Sequence, residues 1–123
     1  MEEELYHKAH LLYQQQRYQD AVKAVNQMLS LEPNDAESLA LLALCNLQLE
    51  EYPQALSAID SAVAADPDNA YITYIKAVIL ANMRKLSEAL DLADQAISLN
   101  PEDASYYSIK SFILYEKKDY AAA

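Results

Sequence analysis

Four alanines, Ala21, Ala55, Ala89 and Ala123, recur at an interval of 34 residues, and three prolines, Pro33, Pro67 and Pro101, keep the same interval. A fixed period of this length forces an array, in which each unit builds one supersecondary element and the core forms only by stacking neighbours. Other columns follow the period: Tyr18, Tyr52, Leu86 and Tyr120; Ala9, Ala43, Ala77 and Ser111; Leu5, Leu39, Thr73 and Tyr107; Ala36, Ala70 and Ala104. The turns repeat as LEPNDA, ADPDNA and LNPEDA.

Within each period, apolar residues stand three and four apart over 2–16, 36–49, 70–84 and 104–117, and again over 19–31, 53–65 and 87–99. This is the spacing of amphipathic helices. Each of the three prolines is followed by Asn, Asp or Glu before the next apolar run, a helix stop and then a capped start. Asn34 and Glu37 have capping-box spacing. Pro53, after the Glu50-Glu51-Tyr52 turn, suits the first position of a new helix, where no amide hydrogen bond is lost. No window alternates with period two for long enough to make a strand. The expected fold is all-α, with seven helices and a fragment of an eighth. The alanine columns would let helix backbones approach closely, and Tyr18, Tyr52, Leu86 and Tyr120 would plug the turn inside each repeat.

The period and the order of these columns resemble the tetratricopeptide repeat (TPR), whose pattern runs W-x2-L-G-x2-Y, then A-x3-F, then P. The resemblance covers the whole chain, as repeats 2–35, 36–69 and 70–103 and a partial repeat 104–123. The chain departs from the pattern in having no Trp and no Gly, and in placing Val25, Ile59 and Ala93 in the A-x3-F slot. The resemblance implies one array, 1–123, wound as a right-handed superhelical solenoid of antiparallel helix pairs. Because the fourth repeat stops at Ala123, where its second helix should begin, the expectation is a fragment of a longer TPR chain. The rival is an open end that docks on another copy. Either way Tyr107, Phe112, Ile113 and Leu114 would show apolar surface to water.

Composition narrows the function. The net charge is −10 and the nine Lys and Arg residues are scattered, which excludes a nucleic-acid stripe. The longest apolar runs, such as Leu39 to Leu44, are too short to insert in a membrane. The N-terminus, MEEELYHK, is acidic where a secretory signal is basic. The single cysteine, Cys45, has no internal disulfide partner, so a reducing, cytoplasmic setting is expected, and among leucines it reads as an inert buried thiol. No Gly-rich phosphate loop, structural-zinc spacing or Ser-His-Asp elbow occurs, so the chain reads as no enzyme and needs no cofactor. Glu3, His7 and His10 share one helical face and could hold a divalent ion. Three ligands from one helix end with no supporting shell make too weak a site, and no metal is expected. Glu32, Asp35, Asp66, Asp68, Glu102 and Asp103 gather in the turns between repeats, where helix N-termini favour acids.

Partner binding remains. In TPR arrays the first helix of each repeat lines a concave groove, and the resemblance places there Tyr6, His10, Tyr13 and Gln14, then Leu41, Leu44 and Gln48. From the third and fourth repeats it places Tyr71, Tyr74, Ile75, Val78 and Asn82, then Phe112 and Tyr115. Such a surface would take an apolar or amphipathic segment of another protein, tyrosines giving contact area at little entropic cost. A self-assembly module, filling the same surface with copies of itself, is the alternative. Gln14, Gln48, Asn82 and Glu116 form a polar row one period apart. It would serve either as a ladder for an extended peptide backbone or as caps for the helices that carry it. Relatives that serve chaperones grip an acidic C-terminal carboxylate with Lys, Asn and Arg; here those positions hold Tyr6 and His10, Leu41, then Tyr71 and Ile75. No acidic chaperone-tail clamp is expected.

Overall fold

The structure, a computed structural model, describes the backbone of residues 2–122 and the side chains of residues 3–118. It contains α1 (Glu2–Gln14), α2 (Tyr18–Leu31), α3 (Ala36–Gln48), α4 (Tyr52–Ala65), α5 (Ala70–Asn82), α6 (Leu86–Leu99) and α7 (Ala104–Ala122), with no strand among the described residues. Two compact units form, Met1–Pro67 and Asp68–Ala123. In the first, α1 pairs with α2, α2 with α3, and α3 with α4; in the second, α5 pairs with α6 and α6 with α7.

The turn inside each repeat is built the same way three times, and without glycine. Gln16, Glu50 and Arg84 take left-handed φ angles of 63°, 60° and 65°. The next N–H reaches back five residues, from Arg17 to Leu12 O, Glu51 to Asn46 O and Lys85 to Leu80 O, at 2.8–2.9 Å. These are Schellman closures, which satisfy carbonyls that a helix end leaves open. A left-handed non-glycine residue costs about 1 kcal/mol or more, and burial of the paired helices holds it in place.

Between repeats, the second helices end at Leu31, Ala65 and Leu99. Asp35, Asn69 and Asp103 then stand one period apart before the next helix. Asn69 Oδ1 accepts from Ile72 N at 3.1 Å, Asp103 Oδ1 from Ser105 N at 2.9 Å, and Asp35 Oδ2 from the Ser38 hydroxyl at 2.6 Å. The Asn34–Glu37 box is thereby corrected: α3 starts at Ala36 with Asp35 at its cap, so the helix begins one residue after that frame. Pro53 lies in the first turn of α4, where it removes no helical hydrogen bond.

Small residues set the packing. Ala9, Ala43 and Ala77 on first helices and Ala21, Ala55 and Ala89 on second helices are all 0% exposed. The A-x3-F slot is equally closed, with Val25, Ile59 and Ala93 at 0%. In the first unit Ala9, Ala21, Ala24, Val25, Met28, Leu41 and Cys45 form one core, flanked by Leu5, Tyr6, Leu12 and Tyr13. Burial pushes the Cys45 thiol up to about 11, which leaves it inert. Tyr18 and Tyr52 are half-buried and Leu86 is buried at their turns; Tyr120 and Ala123 lie outside the described side chains.

The end of the chain departs from expectation. The fragment of an eighth helix is absent among the described residues: α7 runs without a break through Lys118, one period after Arg84, and on to Ala122. Lys118 has no preference for a left-handed φ, and the alanines beyond it have the highest helix propensity of any residue. Along α7, Tyr107, Phe112 and Leu114 are 46%, 48% and 46% exposed, as expected, whereas Ile113 is fully buried.

Candidate functional site

In the first unit, α1 presents an aromatic row. Residues three and four apart on a helix share a face, which places Tyr6, His10 and Tyr13 in line. Tyr6 and His10 ring centroids lie 6.0 Å apart and those of His10 and Tyr13 6.5 Å. Tyr13 also meets Tyr18 edge-on at 5.5 Å, which ties the row to the turn into α2. His10 is exposed and the two tyrosines are half-buried, with Gln14 exposed at the helix end. A cleft of about 310 Å³ opens beside Tyr6, lined also by Glu3, His7, Met28, Glu32, Asp35 and Glu37.

On α3 the expected surface divides. Leu44 is half-buried and Gln48 exposed, but Leu41 is only 3% exposed and belongs to the core beside Val25 and Met28. Leu41 therefore leaves the site, because a side chain closed over by α1 and α2 residues has no face to offer a partner.

The second unit repeats the pattern on α5. Tyr71 is 51% exposed and stacks on Tyr74 at 6.0 Å with 29° between the planes; Tyr74 in turn meets Tyr106 of α7 at 5.1 Å. Tyr106 is buried and was not foreseen from the sequence. Its column, which holds Glu4, Ser38 and Ile72 in the preceding repeats, carries no aromatic signal. Burial raises the Tyr71 phenol pKa, with Tyr74 adding to it; burial also raises that of Tyr106, followed by Asp103 and the two neighbouring tyrosines. Both phenols are neutral at ordinary pH and act as hydrogen-bonding, apolar surface. Val78 is half-buried, whereas Ile75 is 0% exposed and, like Leu41, is withdrawn into the core. On α7, Phe112 and Tyr115 are 48% and 65% exposed.

The polar row behaves unevenly. Asn82 donates Nδ2 to Val78 O at 2.8 Å, and Glu116 accepts from Arg84 at 2.9 Å. At these two positions the side chains serve their own fold, while Gln14 and Gln48 are exposed. Among the described residues no group of three or more His, Cys, Asp or Glu side chains is placed to hold a metal ion, Glu3, His7 and His10 included. No described helix is long and apolar enough to cross a membrane.

Two family models described as tetratricopeptide repeat match the chain, over residues 6–70 and 46–113. No curated protein matches it. Among solved structures, the Sgt2 TPR domain from Aspergillus fumigatus is similar with a TM-score of 0.92 at 13% identity, covering 99% of this chain and 82% of that one. The first TPR of Spaghetti (RPAP3), bound to the HSP90 peptide SRMEEVD, gives 0.88 at 17% identity, covering 95% and 93%. The Yersinia enterocolitica type III secretion chaperone SycD, in complex with a peptide of the translocator YopD, gives 0.82 at 22% identity, covering 94% and 93%. At these identities the likeness is one of fold, an all-α solenoid of helix pairs. Matched by each of two family models over more than half its length, and built from the same helix pairs, this chain belongs to the tetratricopeptide repeat family.

Proposed function

We propose that this chain is a non-enzymatic interaction scaffold that holds an apolar or amphipathic segment of another protein against the first-helix faces of its units. The observation that carries the reading is the presence, within each unit, of partly exposed aromatic side chains at helical spacing: Tyr6, His10 and Tyr13 on α1 of the first, and Tyr71 and Tyr74 on α5 with Phe112 and Tyr115 on α7 of the second. The rings of α1 and α5, already packed on one another, lose little freedom when a partner covers them, and such anchors carry most of the energy of an interface. Two of the similar structures hold peptides, which supports a scaffold role.

The chemistry of the face argues for contact area over charge. The chaperone-tail positions offer no Lys or Arg, and two of them, Leu41 and Ile75, are buried. Selection from a displayed peptide library against the intact chain tests the reading. Enriched peptides should be apolar or aromatic, and Tyr71→Ala and Phe112→Ala should each weaken the best of them by about 2 kcal/mol, roughly thirtyfold. Selection of acidic peptides that ignore both substitutions would refute it.

A further inference from the structure

The first unit, Met1–Pro67, carries most of the charge of the chain: eleven Asp and Glu against three Lys and Arg, where Asp68–Ala123 holds eight against six. Within the first unit the signs are sorted. All three cations, Lys8, Arg17 and Lys23, line one hollow of about 360 Å³ together with Asp20, which pairs with Arg17 at 2.7 Å. None of them lines the cleft of about 310 Å³ beside Tyr6, where Glu3, Glu32, Asp35 and Glu37 converge from α1, the end of α2 and the start of α3. Among the residues of that cleft only His7 can take a positive charge. Glu3 stands three residues before Tyr6, so the cleft continues the Tyr6–His10–Tyr13 row along the same helix face.

The fold does not require these carboxylates. Glu3 opens α1, and Asp35 and Glu37 open α3, where a helix dipole favours an anion; Glu32 is the C-cap of α2, where the dipole opposes one. Two periods on, the four columns hold Tyr71, Asn100, Asp103 and Ser105, and α5, α6 and α7 pair with a single acid among them. Anions gathered around a half-buried ring suit a cation, which the ring face attracts and the carboxylates meet with charge-assisted hydrogen bonds. An acidic segment would be repelled at the same place. We propose that the segment held on the aromatic row of α1 carries a lysine or arginine, and that the cleft beside Tyr6 receives its cation. The inference rests on the scaffold reading above and adds to it a charge complementarity that selects one class of segment and fixes its direction along α1.

A displayed library of random peptides, selected on the full chain and in parallel on a Glu32→Gln/Glu37→Gln variant, provides the test. Both glutamates are exposed, so the fold survives their substitution, checked by an unchanged helical circular dichroism signal. The full chain should enrich apolar peptides with a Lys or Arg beside the apolar core, and the variant should enrich apolar peptides without that bias. In anisotropy titrations of the most enriched peptide, replacing its basic residue by Gln should weaken binding to the full chain about tenfold, and to the variant less than about twofold. A Glu50→Gln/Glu51→Gln variant, which removes the same charge from the exposed turn between α3 and α4, should keep the tenfold preference. That variant separates the cleft from the general attraction of a cation to an acidic unit. Enriched apolar peptides with no basic residue, or a basic preference that both variants keep or both lose, overturn the inference and leave the scaffold reading standing. Enrichment of acidic peptides, or of none, overturns both.

Discussion

Leu41 and Leu44 lie three residues apart on α3 and look alike in the sequence, yet the structure assigns them different work. Leu41 is 3% exposed and is enclosed by Ala9, Ala21, Val25, Met28 and Cys45. Truncation to Ala removes most of a side chain from a site whose neighbours include small alanines that cannot reach into the hole. Core Leu→Ala changes cost about 2–5 kcal/mol, rising with the cavity left behind, so about 3–4 kcal/mol is expected here. Leu44 is half-buried, and Leu44→Ala should cost about 1 kcal/mol or less. With a urea m-value of about 2 kcal/mol/M, these become midpoint shifts of about 1.5–2 M and at most about 0.5 M. Urea titrations followed by circular dichroism at one pH would measure both. Equal shifts, or a larger shift for Leu44→Ala, would refute the division of α3 into a core face and a surface face.

Ala55→Leu should overpack the α3–α4 contact and cost about 1–3 kcal/mol, while Ala64→Leu on the exposed side of α4 stays within about 0.5 kcal/mol, both read as shifts in thermal midpoint. Cys45, pushed up by burial from 9.0 to about 11, contributes stability that is fully present below pH 9 and is lost as pH rises through about 11. Replacing it by Ala should flatten that part of the alkaline decline in urea midpoint; parallel profiles between pH 9 and 11 would assign the decline to other groups. Peptides ending in an acidic chaperone tail such as SRMEEVD should show no measurable binding, because the absent charge-assisted contacts represent about 3–6 kcal/mol. A low-micromolar titration would contradict that.

The fold was largely legible because its signals are periodic. The alanine columns announced the close helix contacts, and all six of their described second- and first-helix positions, Ala9 to Ala89, are fully buried. Two features were not legible. The left-handed turns at Gln16, Glu50 and Arg84 carry no glycine or asparagine; their conformation is imposed by the packing of the helices they join and not by the residues themselves. The limits of the binding face were also hidden. A helix face is wider than the strip left exposed once neighbours pack, and a 34-residue register does not show which of Leu41 and Leu44, or of Ile75 and Val78, the next helix will cover. Tyr106 shows the converse, an aromatic drawn inward against Tyr74 from a column that otherwise holds Glu, Ser and Ile.

The central claim, that a partner segment lies against the first helices, is tested most directly by mapping amide chemical shifts while the best library-selected peptide is titrated into the isotopically labelled chain. Perturbations should cluster at Tyr6, His10 and Tyr13 on α1 or at Tyr71, Tyr74, Val78, Phe112 and Tyr115 on α5 and α7. Perturbations confined to the exposed sides of the second helices, at Asn26 and Gln27 of α2 or Asp60 and Ser61 of α4, or to the acidic turns at Asp66 and Asp68, would contradict it.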